Sequence, residues 1–155
     1  MKTKSLLAIL IGVLLVVALT GCFSKQALTS DEFSSKMQGL GFSIVDASAQ
    51  YSQFDHINKV LLAVDPTTSF QIEFYDINSD SNALGVYNTN FSTMENSRGS
   101  SSSYSTVSMG NYNRATQESN GEYWVLSRIS STFVYVHSDV ANKASINNAL
   151  DTIGY

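Results

Sequence analysis

Sulfur cross-links are excluded at once: the 155 residues hold one cysteine, Cys22, so no disulfide can form within the chain and the fold must rest on its core. Proline occurs once, at Pro66, and histidine twice, at His56 and His137. Cys22, His56 and His137 are too far apart in the chain to show the ligand spacing of a zinc site, which needs three or four ligands. Basic residues are also scarce, with nine Lys and Arg against thirteen Asp and Glu. Two of the nine, Lys2 and Lys4, fall at the extreme N-terminus, so the rest of the chain is more acidic still. An acidic domain is a poor match for nucleic acid. Past the first 22 residues there is no apolar run long enough to span a membrane, and no repeat of fixed period.

What is present begins with "MKTKSLLAILIGVLLVVALTGC". Lys2 and Lys4 form a basic start, and an uncharged aliphatic run follows from Leu6 to Leu19. That layout is a secretory signal, and the run is shorter than the ~20 residues of an ordinary membrane span. Leu19-Thr20-Gly21-Cys22 closes it and resembles the lipobox of bacterial lipoproteins: an aliphatic residue, a small residue, Gly or Ala, then Cys. The resemblance implies that the Cys22 thiol receives a diacylglycerol through a thioether, and that cleavage before Cys22 makes it the new N-terminus. It further implies an extracytoplasmic protein anchored by palmitate-type chains, on the outer face of the cytoplasmic membrane if the cell is Gram-positive. Two buried chains at ~0.8 kcal/mol per CH₂ hold a protein nearly permanently. The expected organisation is a signal peptide over 1–21, a lipidated tether over 22–28 and one domain over 29–155.

The domain's pattern predicts α+β. Thr29 and Glu32 form a capping box, Leu28 can staple to Phe33, and Phe33, Met37 and Leu40 recur at helical spacing, so a helix is expected over Ser30–Gln38 with Gly39 or Gly41 ending it. "FSIVDAS" reads as a short strand, and Gln50–His56 has no clear period. "NKVLLAVDPTTSFQIEFYD" reads as a hairpin about the turn Asp65-Pro66-Thr67-Thr68. A second helix carries the stripe Ala83, Tyr87, Phe91, Met94 behind a cap at Asp80 or Ser81. "SRGSSSSYS" reads as a flexible linker. Three strands follow, "STVSMGNYNRATQES", "GEYWVLSRI" and "STFVYVHS", with Asn120-Gly121 and Ser130-Ser131 as turns. A last helix buries Ile146, Ala149, Leu150 and Ile153, is capped by Ser138 or Asp139 and ends at Gly154. The order is α-β-β-β-α-β-β-β-α. It predicts a single domain with an antiparallel sheet packed against about three helices. The body, chiefly "SFQIEFYD" and "YWVLSRISSTFVYV", resembles small uncharacterised lipoproteins of Gram-positive bacteria.

Few side chains are arranged for chemistry. Asp76, Asn78, Asp80 and Asn82 place oxygen ligands at alternate positions, as in a calcium loop, but Ser81 replaces the turn glycine and Tyr87 the bidentate Glu. The plainer reading is a polar loop ahead of the second helix, with no metal and no cofactor. The serines of "GSSSS" are not set on a strand-to-helix elbow beside a histidine. Asp46, Asp65, Glu73 and Asp76 lie in or near the first strands and would need a cleft to act in pairs. Glu73 alternates with the apolar positions, so it falls on a polar face with Gln71 and Tyr75, where a pairing with Arg128 would also be within reach across the sheet. Tyr75, Tyr123 and Tyr135 alternate out of phase with core positions and form a candidate binding surface, since tyrosine brings contact area at low rotamer cost.

Three functional classes follow. The first is a non-catalytic binding or interaction module, held to the membrane through Cys22 and meeting an envelope protein or wall partner. The second is an envelope hydrolase using carboxylates, and the third a lipoprotein for a small ligand. A cleft holding two facing acids favours the second; tyrosines converging on one concavity favour the first or third.

Overall fold

The computed structural model describes residues 24–67 and 70–155. The signal segment, Cys22 and the Thr68 of the expected turn lie outside the described residues. Seven strands form one antiparallel sheet: β1 (Ser43–Asp46), β2 (Ile57–Val64), β3 (Gln71–Ile77), β4 (Ser102–Met109), β5 (Tyr112–Ser119), β6 (Glu122–Ile129) and β7 (Thr132–Asp139). The helices are α1 (Ser30–Gly39), α2 (Asp80–Asn96) and α3 (Lys143–Ile153), so the chain is α+β as its pattern predicts. The spatial order β1-β2-β3-β7-β6-β5-β4 places the β3–β7 seam inside the sheet. Two meanders meet there, and α2 carries the chain from the seam to the far edge.

Local signals explain most of these elements. Thr29 Oγ1 accepts from Glu32 N at 3.2 Å while Glu32 Oε2 accepts from Thr29 N at 2.8 Å, which is the expected capping box. Gly41, at φ +91°, ends α1: its N–H donates to Gln38 O and the Phe42 N–H donates to Met37 O. The cap of α2 is Ser79, one residue before the expected pair, because its hydroxyl reaches the Asn82 N–H at 3.2 Å. Asp139 caps a short 3₁₀ turn, Val140–Asn142, that leads into α3, and Gly154 at φ +97° closes that helix.

The stretch expected to be one strand over residues 105–119 is a hairpin of two. Gly110, at φ +55°, with Asn111 turns the chain between β4 and β5. Gly-Asn is itself a hairpin signal, and the mostly polar residues on either side of it hid the break. The serine-rich segment is likewise not a linker. Ser102–Met109 pairs along its whole length with β5, since backbone hydrogen bonds need no apolar side chains at an exposed edge. Gly99 is pinned by a 2.9 Å bond from its N–H to Ser119 Oγ.

Both faces of the sheet are covered. On one, α1 and α3 bury Phe33, Met37, Ile146 and Leu150 against Leu61, Ile72, Phe74, Val125 and Val134. On the other, α2 buries Ala83, Tyr87 and Met94 against Val60, Tyr75, Leu126 and Phe133. In α2 the side chains of Thr89, Asn90, Ser92 and Thr93 each donate to the carbonyl four residues back, and such residues favour a helix only weakly. Packing therefore holds it in place. The tether docks earlier than its polar composition suggests. Lys25 exchanges bonds of 3.1 and 2.7 Å with the Asn111 side chain, and its ammonium lies 4.2 Å from the Tyr112 ring centre.

Candidate functional site

Between the N-terminal half of α2, the loop 51–57 and the β3–β7 seam lies a cleft of about 730 Å³. Its floor is the sheet: Glu73 and Tyr75 from β3, Phe133 and Tyr135 from β7. Register brings them together, for Glu73 stands opposite Tyr135 and Tyr75 opposite Phe133. Tyr51, Phe54 and His56 form one rim, and Asn82, Gly85, Val86 and Asn90 of α2 form the other.

The rings touch in series. Tyr51 meets Tyr75 edge-on at 5.5 Å between centroids, Tyr75 lies 5.8 Å from Phe133, and Phe54 lies 6.4 Å from Tyr51. Edge-on contact aims the positive rim of one ring at the negative face of the next. A hydrogen-bond chain runs through the same residues. The Tyr75 hydroxyl donates to Glu73 Oε2 at 2.5 Å, so its oxygen accepts from the Tyr51 hydroxyl at 3.0 Å, a phenol having a single proton. Gln71 Nε2 donates to Glu73 Oε1 at 2.9 Å. Burial, then the bonds to Glu73 and Tyr51, hold the Tyr75 phenol far above its ordinary value, and burial with nearby Glu73 pushes Tyr135 up to about 12. Both phenols therefore stay neutral through neutral pH.

These raised values fix the direction of an alkaline transition. A phenol whose folded pKa exceeds its unfolded value of about 10 leaves stability intact below pH ~10 and erodes it as the pH climbs toward the folded value. Tyr87 and Tyr155 are also pushed up to about 12, chiefly by burial. In a phenolate absorbance titration we expect Tyr87, Tyr135 and Tyr155 to ionise only near pH 12, and Tyr75 no earlier, together with loss of the far-ultraviolet circular dichroism signal. A single phase near pH 10 with the fold intact would contradict these placements.

Of the three expected tyrosines, Tyr75 and Tyr135 share the cleft and Tyr123 does not. Leu126 stands opposite Tyr135, and Tyr123 is an odd number of residues away along β6, so it points to the other face. There its hydroxyl donates to Asn147 Oδ1 at 2.8 Å within the α1–α3 core. Glu73 is not on a solvated face; it is half-buried on the cleft floor. Nor does it pair with Arg128, whose guanidinium donates to Asn113 Oδ1 and Ser130 O.

The acids of the first strands are dispersed, with Asp46 bonded to Ser48, Asp65 to Thr67 and Asp76 to Asn58. The candidate cation loop is occupied with its own structure. Asn82 Nδ2 donates to Asn78 Oδ1, Asn78 Nδ2 to Asp55 O, and Asp80 begins α2. No group of three or more His, Cys, Asp or Glu able to hold a metal occurs among the described residues. His137 lies outside the cleft, stacked on Trp124 at 3.8 Å with Nε2 3.0 Å from Glu122.

Comparison with protein-family models, with curated proteins and with solved structures finds no match to this chain. The site therefore stands on its own geometry. Sequence reasoning missed Tyr51 and Phe54, and set His56 aside as a scattered histidine. Their signal was "YSQFDH", aromatic residues in a segment with no period, where burial in a core strand or helix does not account for them.

Proposed function

We propose that this is a lipid-anchored lipoprotein of a bacterial envelope, exposed outside the cytoplasm, and that it is a non-catalytic binding module whose ligand enters the cleft between α2 and the β3–β7 seam. The basic start, the Leu6–Leu19 run and Leu19-Thr20-Gly21-Cys22 support the anchor. One observation carries the binding reading: an aromatic-lined concavity of ligand size surrounds a single carboxylate. A carboxylate hydrolase needs two acids, ~5–5.5 or ~6.5–9.5 Å apart. Among the described residues lining the cleft, Glu73 is the one acid.

The anchor also orients the site. Lys25 is bonded to Asn111, Asn111 to Ser130, the Ile77 N–H to Ser131 O and the Asn78 N–H to His56 O. The docked tether at Lys25 and the cleft's rim loop therefore sit at the same end of the sheet.

Gly85 offers the test. A glycine inside a helix costs about 1 kcal/mol relative to alanine, yet an added Cβ there meets no atom within 4 Å. Its absence serves the open cleft and not the packing. Gly85→Ala should raise Tm by a few degrees. Gly85→Trp should fill the cleft while leaving the fold in place. In a nuclear magnetic resonance fragment screen, shifts should cluster at Tyr51, Tyr75 and Tyr135 and vanish in Gly85→Trp. Shifts confined to other surfaces, or unchanged by the tryptophan, would refute the site.

A further inference from the structure

The Glu73 carboxylate is half-buried on an inner strand, and its hydrogen-bond donors, Gln71 and Tyr75, are both neutral. None of the ion pairs among the described residues includes it. Withdrawing a carboxylate from water without a counter-charge is unfavourable, and a cation arriving in the cleft would offset that cost. What surrounds the carboxylate narrows the kind of cation. Tyr135 stands directly across the strand, Tyr75 lies two residues on along the same face, and Tyr51 and Phe133 pack on Tyr75. Aromatic faces attract cations through the ring quadrupole, most strongly when water is excluded.

A bare metal ion is a poor occupant. Calcium takes six to eight oxygens and magnesium six in strict geometry, whereas this floor supplies one carboxylate. An anion would meet Glu73 head-on. The neutral phenols of Tyr75 and Tyr135 add no second negative charge, so a single positive charge balances the site. The surface an occupant must present is positive, weakly hydrated and clothed in carbon.

We propose that the cleft recognises a small organic cation, an alkylated ammonium group seated over the rings of Tyr75 and Tyr135 with Glu73 as its counter-charge. This rests on the reading of the cleft as a ligand site and names the ligand's class. The volume of about 730 Å³ exceeds that of the ammonium head alone, which leaves room for an attached chain along Val86 and Asn90. Phe54, 44% exposed at the rim, presents a further apolar surface at the mouth.

The experiment compares choline with its uncharged isostere 3,3-dimethylbutan-1-ol by calorimetric titration. It uses the full lipidated protein in an uncharged maltoside detergent and an amine-free buffer. Choline should bind one site, at least about tenfold more tightly than the isostere. Glu73→Gln should weaken choline about tenfold or more and leave the isostere unaffected, with Tm measured alongside to show an intact fold. Phosphocholine separates the two sources of such a group. Tighter choline binding supports a free solute, and tighter phosphocholine binding supports a lipid head group; either supports the cation.

Equal affinity for choline and the isostere in the native protein overturns the inference without any variant, and so does an absence of choline binding at millimolar concentration. If the isostere binds equally and Gly85→Trp abolishes both, the cation is lost but the ligand site stands. If the fragment screen is also empty, both readings fall.

Discussion

Replacing Phe74 by alanine should remove about 3–5 kcal/mol of folding stability, a large part of the ~5–15 kcal/mol that a domain of this size has. Phe74 is fully buried on β3. Its ring stacks on Phe33 of α1 at 4.5 Å and 17°, and meets Tyr155 edge-on at 6.3 Å. One side chain thus joins the sheet to a helix that arrives earlier in the chain and to the segment after α3. Without disulfides, no covalent constraint shares that task. Tyr155 cannot readily swing into the gap, because its hydroxyl is bonded to Thr132 at 2.5 Å and its carbonyl accepts from Arg114 Nη1 at 2.7 Å. The cavity should therefore stay largely open, the condition under which large-to-small substitutions cost most. Urea unfolding monitored by Trp124 fluorescence measures the loss. A double-mutant cycle with Phe33→Ala should show coupling above about 0.5 kcal/mol, since stacked rings contribute beyond area burial. A loss below about 1.5 kcal/mol would mean that α1 repacks freely on the sheet.

The second large effect concerns location. Under the proposed anchor, Cys22→Ala leaves no thiol to accept the lipid. Cells fed labelled palmitate should label the native chain and not the variant, and the mature-length variant should leave the membrane fraction. Burial at ~0.8 kcal/mol per CH₂ over two chains makes the native partitioning nearly complete, so the expected change is from almost all bound to almost none. A processed Cys22→Ala product that still sediments with membranes would contradict lipid anchoring. The docked tether adds a consequence. With Lys25 held against Asn111 and Tyr112, a lipid on Cys22 would keep this acidic globule close to the bilayer.

How far the site was legible follows from how its residues are tied together. Tyr75 and Tyr135 could be chosen because they break phase with their apolar neighbours. Tyr123 obeys the same rule and still lands on the other side, since period-two alternation says that residues differ in face and not which face a distant strand shares with them. Here the ambiguity is sharper than usual because both faces are buried, one by α1 and α3 and the other by α2. Glu73 was misjudged for the same reason: the polar side of β3 is solvated only if no helix crosses it, and α2 does. The edge strand β4 escaped because its pairing is carried by backbone groups that leave no mark in a run of serines.

The sequence by itself determined the capping box at Thr29, the hairpin turn at Asn120-Gly121, the last helix with Gly154 behind it, and hence the α+β class. All of these are contacts between residues a few positions apart, where the side chain and the backbone it controls are read together. Only the tertiary structure decided that β3 pairs with β7, that α2 leaves a gap beside that seam, and that Tyr51, Glu73 and Tyr135 meet in it. Those contacts join residues tens of positions apart. They are selected by which faces bury the most apolar surface once the whole sheet has formed, a choice no local stretch of this chain contains.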